Sequence, residues 1–350
     1  MCVEKDPAII SVRNLNKEIG NHRILKNISF SAYPGEIFGI IGHSGSGKST
    51  LLRCLDFLCT PTSGSISIAG FDSSSTKKKV SRLDFAKRVA YISQHCGLFL
   101  AKTVFENIAY PLRIRDPKIP KSIVKEKIDD VLQFLNLYEK KYAYPSRLSG
   151  GQKQKVAIAI AIISDPLVLL CDEITSALDP RSTEDVTDKL LQINEERNIT
   201  QVFVSHEIEV VKKLCCKTLV MHQGSIEELG NTDKLFLNPH SSITEELFHM
   251  NSIAKGIYNY SENEEILRLG FPQGLAVQSM ISQIIQNGQI SINILSGDIN
   301  LFRKVPLGFL IIALSGKKEQ RDQAKNFLTA KGVIVQKCQH KTDGDICNQI

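Results

Sequence analysis

Glycines at both ends of a six-residue span, followed by Lys and Ser, form the stretch of this chain whose residue types and spacing point most directly to chemistry. The stretch runs from Gly42 to Thr50 and reads GHSGSGKST; we call it the phosphate loop. Its backbone N–H groups can face phosphate oxygens, Lys48 adds a cation near the β- and γ-phosphates, and the Ser49 hydroxyl can ligate Mg²⁺. The residues predicted to bind a nucleoside triphosphate are Gly42, His43, Ser44, Gly45, Ser46, Gly47, Lys48, Ser49 and Thr50.

The segments on either side of the phosphate loop have the pattern that such a loop requires. Residues 37–41 are continuously apolar, as in a buried strand, and Leu51, Leu52, Leu55 and Leu58 recur at helical spacing after the loop. A strand–loop–helix context gives the motif its specificity, because the positive end of the helix dipole then faces the phosphates. A glycine-rich turn without a ligand is therefore a poor alternative. The phosphate loop alone still leaves kinases, GTPases and several classes of ATPase open.

Two further motifs narrow the class of nucleotide-binding protein. Residues 148–152 read LSGGQ, and the apolar strand of residues 167–170 leads to the acidic pair Asp172 and Glu173 and then to the run ITSALDP. In sequence and order these motifs resemble the ATP-binding cassette (ABC) family, whose signature is LSGGQ. The resemblance implies an α/β fold, a P-loop NTPase cassette with a helical subdomain, over residues 9 to about 240.

The resemblance also implies a role for each polar residue at the ends of these strands. Asp172 follows a buried strand, where its carboxylate can ligate Mg²⁺ beside the Ser49 hydroxyl. Glu173 takes the family's role of general base for the attacking water. Gln94 is expected to touch the metal or the water through its amide. His206 is expected to hold the γ-phosphate for in-line attack, which is electrostatic positioning more than proton transfer.

The signature residues have a different kind of role in the family. They begin a helix that faces the nucleotide of a second cassette, so the helix N-terminus binds the γ-phosphate in trans. The chain has one phosphate loop, one signature and no repeat at half its length, so one copy cannot complete a site. A homodimer that encloses two ATP molecules is implied. The residues predicted at this interface are Ser149, Gly150, Gly151, Gln152 and Asp179.

Composition indicates a globular protein with one large α/β domain and a smaller one. The chain has 350 residues, of which 42% are hydrophobic and 23% charged, with a formal net charge of +6 that is not concentrated in a long run. No nucleic-acid partner is indicated. The longest apolar runs, residues 156–163 and 309–314, are far shorter than the about 20 residues of a membrane span, and residues 1–6 do not resemble a secretion signal. Nine cysteines without a CxxC pair predict reduced thiols in a cytosolic protein.

Between Gln94 and the signature the pattern becomes helical, as in the family's helical subdomain. The run TVFEN at residues 103–107 resembles the stretch that forms the groove for a short permease helix in ABC importers. Internal packing between lobes is the alternative for its apolar residues. A helix is predicted from Lys121 to Leu137, and its apolar face is Ile123, Val124, Ile128, Val131, Leu132 and Leu135.

The C-terminal part predicts a second, smaller domain. Ser242 and Glu245 have the spacing of a capping box that opens a short helix, and a polar stretch then places a domain boundary near Glu262. The following pattern is βαββαβ, which is the ferredoxin-like (α+β) arrangement. Its predicted elements are a strand at 266–271, a helix with Val277, Met280, Ile281, Ile284 and Ile285, a strand at 290–294, a turn at Gly297-Asp298, a strand at 307–314, a helix with Ala324, Phe327 and Leu328, and a strand at 333–335.

A cassette followed by this small domain resembles the ATPase subunits of bacterial methionine importers. In that family the tail, called the NIL domain, binds intracellular methionine and holds the cassettes apart. A tail that serves only dimerisation is the alternative. The predicted organisation is a cassette at 1–240, a linker with a short helix at 241–261, a NIL-type regulatory domain at 262–338 and a tail at 339–350.

The resemblance implies an ATPase that powers uptake of methionine, in its L and D forms, using ATP and Mg²⁺. Its expected partners are a second copy, two copies of a membrane permease, a substrate-binding lipoprotein and methionine itself, at the cytoplasmic face of the inner membrane. Import of another amino acid or a small peptide remains an alternative, as does a cytosolic ABC ATPase acting on DNA or ribosomes. The chain departs from the family at Ile19 or Gly20, where an aromatic residue usually stacks on adenine, and at Lys155, Ile160 and Ile174.

Overall fold

The computed structural model describes residues 7–73, 81–248, 264–272, 280–288, 290–302 and 305–337. It divides into two compact units, Met1–Gly230 and Asn231–Ile350. The first unit contains, in chain order, β1 (Ile10–Ile19), β2 (His22–Ala32), β3 (Ile37–Gly42), α1 (Lys48–Leu55), β4 (Ser63–Ile68), β5 (Phe71–Asp72), α2 (Arg82–Ala86), β6 (Val89–Ile92), α3 (Val104–Arg115), α4 (Lys121–Phe134), α5 (Gly150–Ile162), β7 (Val168–Asp172), α6 (Pro180–Arg197), β8 (Thr200–Val204), α7 (Ile208–Leu214), β9 (Lys217–His222) and β10 (Ser225–Asn231).

The second unit contains two short helices and then six elements, four strands and two helices. The predicted boundary near Glu262 and the predicted tail at 339–350 lie outside the described residues, so the domain limits stay predictions. The elements are α8 (Thr232–Leu237), α9 (Ser242–Leu247), β11 (Glu264–Phe271), α10 (Met280–Gly288), β12 (Ser291–Phe302), β13 (Val305–Ser315), α11 (Lys318–Ala330) and β14 (Ile334–Lys337).

The central sheet of the first unit has the strand order β10-β9-β3-β8-β7-β6. The ladders β3–β8, β3–β9, β7–β8 and β6–β7 are parallel, and strands β3, β7 and β8 are buried along their whole length. Parallel strands are covered on both faces, which explains why the sequence shows continuous apolar runs there. The predicted α/β fold is confirmed. The phosphate loop and the polar residues expected to act on the nucleotide follow the carboxyl ends of neighbouring strands.

A second, antiparallel sheet has the order β2-β1-β4-β5. One hydrophobic cluster joins this sheet, α1 and the central sheet; among its fully buried members are Leu15 of β1, Leu51 and Leu55 of α1, and Leu170 of β7. The helix after the phosphate loop is therefore fixed by burial against both sheets. At about 1.5–3 kcal/mol per buried leucine, this packing is what holds the loop's backbone in place.

Two helical predictions in the first unit were partly wrong. Leu58 is 61% exposed and lies beyond α1, which ends at Leu55, and the intervening Phe57 has a left-handed φ of +52°. Ile123 lies in α4 as predicted but is 41% exposed and belongs to the solvent face. The buried face of α4 consists of Val124, Ile128, Val131 and Leu132, and Leu135 is buried just after the helix ends at Phe134.

The second unit has the predicted βαββαβ order, with an antiparallel sheet in the order β12-β13-β11-β14. Its core cluster includes Leu269 and Ile312 of the sheet, Ile284 of α10 and Leu328 of α11. The predicted first residue of the helix, Val277, lies outside the described residues.

The turn predicted at Gly297-Asp298 is wrong. Strand β12 continues to Phe302, with an irregular register between Ile294 and Ser296. A Cβ at Gly297 would lie 2.3 Å from Leu310 Cδ2, so the glycine permits close packing of two strands and does not turn the chain.

The short helices of the second unit are held by specific polar contacts. Helix α9 is capped by Ser241, whose Oγ accepts a hydrogen bond from Thr244 N at 3.1 Å, so the predicted capping box of Ser242 and Glu245 is wrong by one residue. Arg268 is 7% exposed and donates to the carbonyls of Phe236 (2.7 Å) and Leu237 (3.0 Å) at the end of α8. Satisfying these terminal carbonyls ties α8 to strand β11.

Within the ranges that the structure describes, no helix combines the length and apolar character that crossing a bilayer requires. The six cysteines in those ranges form no disulfide. Three of them, Cys54, Cys171 and Cys215, are buried. The other three are partly buried, so the expected burial of the thiols holds fully for half of the cysteines that the structure describes.

Candidate functional site

The phosphate loop joins β3 to α1 through backbone conformations that glycine favours. Gly42 has φ +151° and Gly47 has φ +102°, immediately before α1 begins at Lys48. A Cβ at Gly42 would lie 2.3 Å from Met221 O, and a Cβ at Gly47 would lie 3.1 Å from Ile24 O. Both glycines are therefore required for the loop to pass between its neighbours.

Lys48 is held inside the loop. Its Nζ donates hydrogen bonds to Gly42 O at 2.7 Å and to His43 O at 2.9 Å, and the residue is 5% exposed. Burial lowers the pKa of Lys48, while the nearby charges of Glu173 and Asp172 oppose that shift. A buried cation beside two carboxylates is suited to receive the negative charge of a polyphosphate.

The side chain of Ser46 gives a test of whether the loop fits a phosphate. Ser46 is 4% exposed, and its Oγ is buried without a hydrogen-bond partner among the described residues. Leaving a buried hydroxyl unpaired costs about 1–3 kcal/mol. A phosphate oxygen in the loop would pair with it, so the residues present fit the triphosphate that the sequence predicts.

The donor set for a metal lies next to the loop. Ser49 Oγ donates to Asp172 Oδ1 at 3.1 Å, and Asp172 is 8% exposed at the end of β7. No group of three or more His, Cys, Asp or Glu side chains within the described ranges could hold a metal ion alone. A hydroxyl and a carboxylate fit Mg²⁺, which prefers hard oxygen ligands and takes the remainder from phosphates and water.

The predicted base and the predicted γ-phosphate residue are brought together. His206 Nδ1 lies 3.5 Å from Glu173 Oε1, and the His206 side chain is 54% exposed. Glu173 has φ +48°, a left-handed conformation that costs a non-glycine residue about 1–2 kcal/mol. Its N–H donates to Val204 O at 3.0 Å, which ties this turn to the end of β8. Backbone strain that is held in place by neighbouring strands is typical of functional sites.

Gln94 follows β6, next to the end of β7. Its Nε2 donates to Ser176 Oγ at 3.2 Å, and Ser176 Oγ donates to the carbonyl of Glu173 at 2.9 Å. The predicted role of Gln94 toward metal or water stays a prediction. In this structure its amide is linked to the turn that carries the predicted base.

The signature forms the N-terminus of α5. Ser149 Oγ accepts a hydrogen bond from Gln152 N at 3.3 Å, and Gln152 Oε1 accepts one from Ser149 N at 3.1 Å, a reciprocal capping box. A Cβ at Gly151 would lie 2.8 Å from Ser182 Oγ, so this glycine lets α5 approach the start of α6. Gly150 has room for a Cβ at 3.5 Å from Leu178 Cδ2.

Asp179 caps the neighbouring helix. Its side chain accepts hydrogen bonds from Ser182 N at 3.1 Å and Ser182 Oγ at 2.6 Å, and these bonds hold the pKa of Asp179 below its ordinary value. Asp179 and Gly151 therefore share Ser182 as a neighbour. The starts of α5 and α6 thus lie side by side, and Gly150 lines a small pocket together with Gln94 and Glu173.

Two polar contacts were not predicted from sequence. Tyr91 OH donates to Asp172 Oδ2 at 2.8 Å, and Cys96 Sγ lies 2.9 Å from Gln154 Oε1, as a donor to that oxygen. The contact between Tyr91 and Asp172 could have been anticipated from the sequence. Tyr91 is the one side chain of strand β6 that ends in a polar group, and β6 lies beside the strand that ends in Asp172. No pattern in the sequence indicates that Cys96 reaches the signature helix.

The positions expected to stack on adenine lie at the β1–β2 turn. Ile19 is 54% exposed, and Gly20 has φ +58°. Strand β2 passes the phosphate loop, since Ile24 O is a close neighbour of Gly47. The effect of an aliphatic residue at Ile19 on adenine binding stays a prediction.

A group of exposed apolar residues follows Gln94; we call Phe99, Leu100 and Tyr110 the aromatic patch. They are 45%, 71% and 40% exposed, and Lys102 Nζ lies 4.8 and 4.5 Å from the centroids of the Phe99 and Tyr110 rings. In the run predicted to form the permease groove, residues 103–107, Val104 is fully buried, as internal packing requires, whereas the aromatic patch is exposed. Glu106, in contrast, accepts hydrogen bonds from Thr103 N (2.8 Å) and Thr103 Oγ1 (2.9 Å) and caps α3.

Comparison with known proteins gives matches in both units. The family model described as ABC transporter matches residues 25–176, and the model described as NIL domain matches residues 265–337. A protein named methionine import ATP-binding protein MetN from Chlamydia felis is 80% identical over 96% of this chain and 99% of its own length. Proteins of the same name are 61% identical in Chlamydia pneumoniae, over 95% of this chain and 98% of that protein, and 39% identical in Francisella tularensis, over 97% and 100%.

Solved structures resemble the chain over about two thirds of its length. CbiO1 from Clostridium perfringens, part of the ABC transporter complex cbiONQ, has a TM-score of 0.60 and 26% identity and covers 67% of this chain and 92% of its own. The ATP-binding cassette MJ0796, in a dimeric state bound to ADP and Pi, has a TM-score of 0.59 and 28% identity and covers 64% and 98%.

Proposed function

Because the chain belongs to the family of methionine import ATP-binding proteins, which are ABC transporter subunits with a NIL domain, we propose that it hydrolyses ATP to power methionine uptake through a membrane permease. The observation that carries this proposal is the 80% identity over nearly the whole of both chains. The phosphate loop, the Ser49–Asp172 pair and the Glu173–His206 pair support it, since each is intact and lies at one edge of the central sheet.

In the proposed reaction each residue has a task that its position supports. Mg²⁺, when bound, neutralises phosphate charge, and Ser49 and Asp172 are the residues that would hold it. The positive charge of Lys48 pairs with the negative oxygens of the β- and γ-phosphates. Glu173 accepts the proton of the attacking water, and His206 orients the γ-phosphate. The reaction forms a bond from the water oxygen to phosphorus and breaks the bond between the β- and γ-phosphates.

We propose that two copies of the chain form the active unit, because the sequence holds one phosphate loop and one signature, and the family completes each site with the signature of a second cassette. In that arrangement, Ser149 and Gly151 of one copy bind the γ-phosphate held by the other. The dimeric state of the related cassette MJ0796 supports the proposal. Hydrolysis would remove the contact that both copies share, so that the dimer opens.

We propose that the aromatic patch receives a helix of the permease. Leu100→Ser is expected to lower methionine transport about tenfold, because an exposed apolar anchor at an interface of this kind contributes most of its binding energy through burial. ATP binding by the isolated chain should not change. Methionine transport by the reconstituted complex is measured for this variant and for the control Leu58→Ser. Leu58 is also exposed (61%) but lies after α1. Normal transport by Leu100→Ser would exclude the patch as the docking surface.

We propose that the NIL domain binds intracellular methionine and restrains the ATPase. Addition of methionine should lower the ATPase rate of the full chain about fivefold or more, which is within the usual range of coupling between sites. A chain ending after Gly230, where the first unit ends, should not respond, because it lacks the whole second unit. If methionine inhibits the full and the shortened chain equally, the NIL domain is not the sensor. If methionine inhibits neither chain, a role of the NIL domain in dimerisation alone is favoured.

The remaining partners follow from the importer assignment. A subunit that uses ATP and drives a permease acts at the cytoplasmic face of the inner membrane. A substrate-binding lipoprotein on the other side of the membrane would deliver methionine in either stereochemical form.

Uptake of labelled methionine by vesicles tests the proposal. The chain, its permease and the binding lipoprotein are reconstituted with ATP on the side of the chain, and unlabelled L-methionine, D-methionine and other amino acids serve as competitors. We expect ATP-dependent uptake that both forms of methionine abolish. If the vesicles take up a different amino acid or a peptide and methionine does not compete with it, that solute would replace methionine as the proposed substrate. No ATP-dependent uptake of any solute would favour a cytosolic ABC ATPase.

A further inference from the structure

Tyr91 contacts the predicted metal-binding carboxylate from a neighbouring strand. We propose that Tyr91 is a positioning residue that orients Asp172 for the metal ion used in ATP hydrolysis, an inference that rests on the proposed function. The contact that carries it is the hydrogen bond from Tyr91 OH to Asp172 Oδ2, at 2.8 Å.

The fold places the two side chains on the same face of the central sheet. Strands β6 and β7 are parallel, with Tyr91 opposite Leu170 and Ile92 opposite Cys171. Residues two apart in a strand share a face, so Asp172 lies on the face of Leu170. Leu170 belongs to the cluster that packs around α1, and the Tyr91 ring packs against the same cluster. The ring is therefore held by apolar contacts, and its hydroxyl reaches the carboxylate at the strand end.

The two oxygens of the Asp172 carboxylate have different partners. Oδ1 accepts a hydrogen bond from Ser49 Oγ at 3.1 Å, and Oδ2 accepts one from Tyr91 OH at 2.8 Å. The phenol can donate to only one oxygen, so this bond fixes the rotation of the carboxylate. Oδ1 is then kept beside Ser49, where the metal is expected to bind. Groups that orient metal ligands in this way typically change metal affinity by about 10–100-fold when they are removed.

A merely structural role for Tyr91 is the alternative. Asp172 is 8% exposed, and its Oδ2 needs a donor for that reason alone. The two roles predict different effects on nucleotide binding when the hydroxyl is removed. An orienting bond affects nucleotide binding only when the metal takes part, whereas a structural bond affects the fold and nucleotide binding with or without the metal.

The test is Tyr91→Phe in the full chain, which removes the hydroxyl and keeps the ring. Binding of a fluorescent ATP analogue is titrated with Mg²⁺ and, separately, measured in EDTA. We expect the Mg²⁺ concentration for half-maximal binding enhancement to rise about tenfold. Affinity in EDTA should equal that of the unmodified chain, because Lys48 and the phosphate loop are intact. Tyr138→Phe is the matched control, since Tyr138 is 43% exposed in the helical subdomain, and it should change neither value.

A second comparison asks whether Tyr91 acts through Asp172. In the Asp172→Asn background, adding Tyr91→Phe should produce no further rise in the Mg²⁺ requirement, because effects of residues that act as one unit are not additive. An unchanged Mg²⁺ midpoint for Tyr91→Phe would overturn the inference. So would an equal loss of affinity in Mg²⁺ and in EDTA, which would assign Tyr91 to the fold. These readouts use nucleotide binding and not transport, so a failure to carry methionine would contradict the proposed function and leave this result interpretable.

Discussion

Glu173→Gln is expected to lower steady-state ATP hydrolysis about 100-fold or more, the usual contribution of a general base. The amide cannot accept the proton of the attacking water, although it keeps the size of the side chain and the turn at φ +48°. ATP binding should persist, because Lys48 and Ser49 are unchanged. Phosphate release measures the first effect, and retention of radiolabelled ATP on a filter measures the second.

A suitable control for this variant is Glu209→Gln, the same chemical change at a side chain that is 70% exposed and paired with Lys212 in helix α7. It should hydrolyse ATP at the unmodified rate. If Glu173→Gln turns over ATP as fast as this control does, another group acts as the base. His206, at 3.5 Å from Glu173, would then be the first candidate to examine.

Lys48→Ala is expected to weaken ATP binding about tenfold to a hundredfold, the equivalent of losing charged hydrogen bonds of about 1.5–3 kcal/mol. The phosphates would lose the buried cation of the loop. The carbonyls of Gly42 and His43, which accept its hydrogen bonds at 2.7 and 2.9 Å, would lose their donor as well. Titration with a fluorescent ATP analogue gives the dissociation constant.

Lys87→Ala provides the comparison, because Lys87 is partly exposed and pairs with Asp84 at 2.6 Å away from the loop. Its affinity for ATP should be that of the unmodified chain. Thermal unfolding of both variants shows whether the Lys48 change acts on binding or on the fold. Unchanged affinity in a folded Lys48→Ala chain would remove Lys48 from the nucleotide site.

Much of the fold could be predicted because its signals are local or periodic. Residues 37–41 and 167–170 read as buried strands, since a parallel sheet covers both faces of each strand. The βαββαβ order was likewise visible in the spacing of apolar residues. The strands expected at 37–41 and 167–170 agree with β3 and β7 to within two residues at each end.

The errors lie where a periodic apolar pattern carries little information, which is at the ends of helices and at close contacts between strands. Gly297 reads as a turn residue, but it lies within a strand because Leu310 packs closely against it. Leu58 fits the helical spacing, but the helix has ended before it.

The candidate site shows the same limit. Motifs placed Lys48, Asp172 and Glu173, because the order of residues within a motif is itself the signal. The Tyr91–Asp172 contact joins residues 81 positions apart. Only the pairing of β6 with β7 brings them together, and that pairing cannot be read from either strand alone.

The central claim, that two copies complete each other's catalytic sites, is tested most directly by labelling two distinguishable chains. Both carry Glu173→Gln to retain nucleotide, and only the tagged chain carries Lys48→Ala, so that it binds little nucleotide itself. The probe is an ATP analogue with a photoreactive group on its γ-phosphate. We predict that the tagged chain is labelled within residues 148–152, and only when the untagged chain is present. Labelling confined to the untagged chain would contradict the account.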